Sequence, residues 1–89
     1  MRIVKISERN LHAHELLGLY VECIEPFSKV RHSGYVYNET KNQLWIKTSK
    51  GIKKLLKKSY IFIFNINGVA VKIKGQTILG NPEERIKKI

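Results

Sequence analysis

The apolar and polar positions of this chain alternate most clearly on either side of an Asn-Gly pair. Asn67 and Gly68 separate Ile61–Ile66 from Val69–Lys74, and a two-residue hairpin turn of this type needs the positive φ that Asn-Gly tolerates. The pairing that follows sets Ile66 opposite Val69, Phe64 opposite Val71 and Phe62 opposite Ile73 on one face. Ile63 then meets Lys72, and Ile61 meets Lys74, on the other. Side chains alternate across a strand, so the Phe face is the core face, and each large side chain buried there contributes roughly 1.5–3 kcal/mol.

A second hairpin is predicted from residues 34–39 and 44–49. A three-residue loop of Thr40, Lys41 and Asn42, with Asn42 left-handed, places Val36 opposite Ile46 and Tyr37 opposite Trp45. Val36, Leu44 and Ile46 then point inward, and Tyr35, Tyr37 and Trp45 share the outer face. Leu19, Val21 and Cys23 share one face of an earlier strand that Pro26 ends. Ser7 is a candidate N-cap for a short N-terminal helix, and residues 14–17 predict a further turn ending at Gly18. Asn81, Pro82, Glu83 and Glu84 have the order of a helix start, with Lys87 and Lys88 towards its end. The fold class is therefore mainly β: a small, strongly bent antiparallel barrel of the SH3-like or Sm-like kind with short helical termini. One domain over 1–89 is expected, divided into an N-terminal arm and helical segment (1–18), a barrel (19–79) and a helical tail (81–89).

Charge adds a partner to this picture. Between Thr40 and Pro82 there is no acidic residue but there are nine lysines, within a formal net charge of +10 over 89 residues. Like charges on one surface repel each other, whereas a polyanion turns that repulsion into attraction by releasing counterions. Nucleic acid is the leading partner. The candidate RNA-binding residues are Lys47, Lys50, Lys53, Lys54, Lys57, Lys58, Lys72, Lys74, Arg85, Lys87 and Lys88. Six of them crowd into residues 47–58 around Leu55 and Leu56, a segment expected to wrap a corner; the competing reading is an edge strand whose lysines block aggregation.

Other chemistry is thin. Cys23 is the single cysteine and sits in an apolar strand, as a small buried hydrophobe does; a reducing, cytoplasmic location is expected. The apolar run 60–66 is far below the roughly 20 residues needed to span a bilayer, so no membrane role is expected. His12, His14 and Glu15 lack the spacing of a zinc motif, and neither a metal site nor a catalytic residue is assigned. His32, before Gly34, is equally readable as a phosphate contact or a solvated loop residue. Tyr35, Tyr37 and Trp45 suit either unpaired bases or a protein partner, with the partner favoured because Lys47 alone is predicted among them.

Three motifs in order, His14-Glu15-Leu16-Leu17-Gly18-Leu19, then Gly34-Tyr35-Val36-Tyr37-Asn38-Glu39-Thr40-Lys41-Asn42-Gln43-Leu44, then Pro82-Glu83-Glu84-Arg85-Ile86-Lys87-Lys88, resemble archaeal ribonuclease P protein component 1. The resemblance implies an Sm-like barrel in the ribonucleoprotein that removes the 5′ leader from precursor tRNA. It further implies that the RNA subunit performs hydrolysis with divalent metal, Mg being expected, and that this chain binds no cofactor. Implied partners are ribonuclease P RNA, precursor tRNA in the holoenzyme, a zinc-ribbon protein subunit and the other ribonuclease P proteins. The zinc-ribbon interface carried onto this chain comprises Leu11, Leu16, Leu17, Tyr35 and Tyr37. A general Sm-like or ribosomal RNA-binding protein is the alternative.

Overall fold

The computed structural model describes residues 15–87, the side chains of 85–87 excepted. Six strands form one antiparallel sheet: β1 (Tyr20–Ile24), β2 (Arg31–Glu39), β3 (Gln43–Thr48), β4 (Gly51–Leu56), β5 (Ile61–Ile66) and β6 (Val69–Lys74), in the order β4-β3-β2-β1-β5-β6. The mainly β, antiparallel class expected from the alternation holds. Val21, Cys23, Val36, Leu44, Ile46, Phe62, Phe64, Val71 and Ile73 form the inner face and are buried.

The β5–β6 hairpin has the expected register at every pair, with Asn67 at φ 53° and Gly68 at φ 82°. The β2–β3 hairpin does not. Its turn is the two residues Lys41 and Asn42: the Thr40 N–H donates to the Gln43 carbonyl at 3.0 Å, and the Gln43 N–H donates to Thr40 Oγ1 at 3.1 Å. Asn42 is not left-handed; among the described non-glycine residues only Lys29 and Asn67 have positive φ. A two-residue turn alone would invert the apolar face, but a bulge at Tyr37 inserts one extra residue and restores Val36 opposite Ile46. Asn38, not Tyr37, therefore stands opposite Trp45, and Glu39 turns inward opposite Leu44.

The far ends of the sheet approach each other through two short 3-10 segments, Lys57–Ser59 after β4 and Gly75–Ile78 after β6. The Gly75 N–H donates to the Tyr60 carbonyl at 2.9 Å. A Cβ on Gly75 would lie 1.6 Å from the Lys57 carbonyl oxygen, so the two backbones touch only because this residue has no side chain. Gly34 lies inside β2, where its missing Cβ admits the Lys47 carbonyl. The C-terminal helix α1 (Pro82–Lys87) starts as expected: Asn81 Oδ1 accepts the Glu84 N–H and Asn81 Nδ2 donates to Glu84 Oε1, both at 2.8 Å. At the other end, Gly18 at φ 85° closes a turn in which the Leu19 N–H donates to Leu16 O at 3.1 Å. The Ser7 cap and Leu11 lie outside the described residues.

Candidate nucleic-acid interface

The lysines of the 47–58 segment do not form one surface. Consecutive residues of β4 project to opposite faces. Lys54 stands opposite Trp45 on the outer face, its Nζ 4.2 Å from the ring centroid, a cation–π contact. Lys53 stands opposite the buried Ile46, but β4 is an edge strand and the Lys53 side chain reaches solvent. Lys58 and Lys74 line a separate cleft, together with residues of both 3-10 segments.

Lys57 departs furthest from expectation. It is fully buried and its Nζ donates to Glu39 Oε2 and to the Gly80 carbonyl, each at 2.8 Å. Its backbone N–H donates to Asn42 O at 2.9 Å. The assignment of Lys57 to RNA is thus corrected: its charge is spent inside the protein, tying β2, the Lys41-Asn42 turn and the segment before α1 together. Leu16 is corrected too, because it is buried in the core and offers nothing to a partner. Leu17, Tyr35 and Tyr37 are exposed. Lys47, Lys50, Lys72 and Lys74 are exposed as expected; Arg85 and Lys87 lie in α1 and Lys88 lies beyond the described residues.

Two arrangements emerge that the linear sequence conceals. On the outer face, Lys47 stands opposite Tyr35, Tyr35 opposite Tyr20 (rings 5.4 Å apart, edge to face), and Lys54 over Trp45. Aromatic and cationic side chains alternate there, so the expected separation of an aromatic surface from the lysines is not observed. The second arrangement is a groove of about 340 Å³ between the start of β2 and the β3–β4 turn, lined by Arg31, His32, Ser33, Thr48, Ser49, Lys50 and Lys53. Its lining holds three fixed cations, hydroxyls and an imidazole, and no carboxylate. Such a donor set is suited to phosphate oxygens by charge and hydrogen bonding. Arg31 lies outside the lysine-rich half of the sequence, and only strand pairing brings it to Lys53.

Cys23 is buried, and burial, with a smaller contribution from Glu22, pushes its thiol up to about 12. It stays protonated near neutrality and is no nucleophile there.

The family model described as ribonuclease P/MRP subunit p29 matches residues 9–88. The chain belongs to this family. It is 38% identical over 86 residues to ribonuclease P protein component 1 of Methanocaldococcus jannaschii, covering 93% of this chain and 90% of the relative. It is 40% identical over 87 residues to that of Staphylothermus marinus, with 93% and 95% covered. The solved structure of Mth11, a homologue of human RNase P protein Rpp29, superposes with a TM-score of 0.55 at 35% identity, covering 82% of this chain and 99% of Mth11. As a ribonuclease P/MRP p29 family member, the chain is a ribonuclease P protein subunit, part of an endoribonuclease assembly. Membership implies association with the RNA and with other protein subunits of ribonuclease P.

Proposed function

We propose that this chain binds the RNA of ribonuclease P through the groove of Arg31, Lys50 and Lys53, and contributes no catalytic group to removal of the 5′ leader from precursor tRNA. The observation that carries the reading is the groove's composition: three cations with hydroxyl donors and no carboxylate among the lining residues. Such a site suits phosphate, and its one imidazole, His32, has neither a carboxylate nor a second imidazole among the lining residues to complete a metal ligand set or a histidine–acid pair. The divalent ions and the hydrolysis belong to the RNA subunit in this reading, and the protein screens phosphate repulsion so that the RNA folds at lower magnesium. Leu17, Tyr35 and Tyr37, with Tyr20 beside them, are the surface for the zinc-ribbon subunit: exposed apolar and aromatic side chains lose little on dehydration.

With about four to six phosphates neutralised, log affinity for the RNA is expected to fall with log salt at a slope of roughly −3 to −5. Reversing Lys50 and Lys53 to Glu flattens this line, as fluorescence anisotropy across a salt series would measure. An unchanged slope in that double variant places the phosphate contacts elsewhere.

A further inference from the structure

A cleft of about 450 Å³ lies where three chain segments converge: the β1–β2 loop with Pro26 and Phe27, the residues after β4 with Lys58 and Tyr60, and the end of β6 with Lys74 and Gln76. Phe27 is 96% exposed. Its loop is nevertheless well tied. The Glu25 carboxylate accepts the Ser28 N–H at 2.7 Å, the Phe27 N–H at 3.2 Å and the Ser28 hydroxyl. The Lys29 N–H donates to Glu25 O at 2.8 Å and the Glu25 N–H to Val30 O at 2.9 Å. These bonds hold the Glu25 carboxylate below the usual carboxylate range, the Ser28 hydroxyl being the main cause, and occupy it within the loop. A fixed backbone thus presents an aromatic ring that is left almost wholly open to solvent among the described residues. The facing Tyr60 ring is held by tilted contacts with Phe62 and His32, both at 6.1 Å.

We infer that this cleft receives one unpaired nucleobase of a bound RNA, stacked on Phe27, with its flanking phosphates on Lys58 and Lys74. The inference rests on the RNA-binding role proposed above and adds a second contact to it. Every base has a π-face, so an aromatic platform is tolerant of sequence, and the two exposed lysines supply charge complementary to the backbone on either side. The volume suits a base with its ribose. Ser59 and Gln76 bring polar groups to the same cleft for the base edge. Glu25 also lines the cleft, but its carboxylate is taken up by the Phe27 N–H and by Ser28, so a purely apolar peptide partner would bring no anion to Lys58 and Lys74.

The test uses the full chain and a short single-stranded RNA carrying 2-aminopurine, with the same strand annealed to its complement as control. The wild type is expected to bind the single strand more tightly than the duplex and to quench 2-aminopurine. Phe27→Ala should weaken single-strand binding about five- to 100-fold and abolish the quench, leaving duplex affinity and the salt slope unchanged. Phe27→Trp should restore both. The ring is exposed, so neither change disturbs the core. If the wild type binds while Phe27→Ala retains full affinity and quench, the cleft inference is overturned and the RNA-binding role stands. Loss of companion-protein binding in Phe27→Ala without loss of RNA affinity overturns it likewise, making the cleft a protein contact. If the wild type binds neither RNA, both readings fail.

Discussion

Replacing Lys57 by Met is expected to cost about 3–5 kcal/mol of folding stability, read from the shift of a urea or guanidinium unfolding midpoint. The side chain is fully buried, and its removal takes a 2.8 Å ion pair from the equally buried Glu39 carboxylate and the 2.8 Å donor from the Gly80 carbonyl. Taking one partner from a buried ion pair costs far more than the pair contributed, because the remaining carboxylate stays desolvated. Replacing both members, Lys57→Met with Glu39→Leu, should therefore recover much of the loss, because two apolar side chains of similar size remove the buried carboxylate together with its cation. A single variant within about 1 kcal/mol of wild type but defective in RNA binding would return Lys57 to the surface. For a domain whose whole stability is of order 5–15 kcal/mol, the predicted loss is large enough to be unmistakable.

The second large effect is steric. Gly75→Ala is expected to cost about 3 kcal/mol or more, because the new methyl would sit 1.6 Å from the Lys57 carbonyl oxygen and 2.8 Å from Phe62 Cε2. Neither neighbour can yield: one is backbone and the other is a fully buried ring. The contact between the two 3-10 segments, which brings the ends of the sheet together, must open. Gly68→Ala is the control. It has open space around its Cβ and loses only conformational ease at φ 82°, about 1 kcal/mol. Equal thermal unfolding shifts for the two variants would show that this contact does not hold the fold.

Much of the fold was legible because period-two alternation and an Asn-Gly turn are local signals. Phe62, Phe64, Val71 and Ile73 could be set face to face from chemistry alone, and Asn81 with Glu84 announced α1. The bulge at Tyr37 was not legible. It arises from a tight Lys41-Asn42 turn combined with one surplus residue in β2, and no residue in the run signals it. Missing the bulge concealed its consequence, the inward Glu39, and with it the reason Lys57 is buried. A lysine among five others in one segment looks like surface; only its partner, 18 positions earlier, shows otherwise. The groove was hidden for a related reason. Arg31 and Lys53 are distant in sequence, and the alternation of β4 divides Lys53 from Lys54, so a charge run in the sequence became separate sites in space.

Reconstitution with the cognate ribonuclease P RNA and the companion protein subunits, measuring precursor-tRNA cleavage as magnesium is varied, tests the central claim most directly. This chain is expected to lower the magnesium required for half-maximal cleavage. A variant with Arg31, Lys50 and Lys53 changed to Glu, shown folded by circular dichroism, should lose that benefit while full activity returns at high magnesium. Cleavage by the triple variant at wild-type magnesium would contradict the claim.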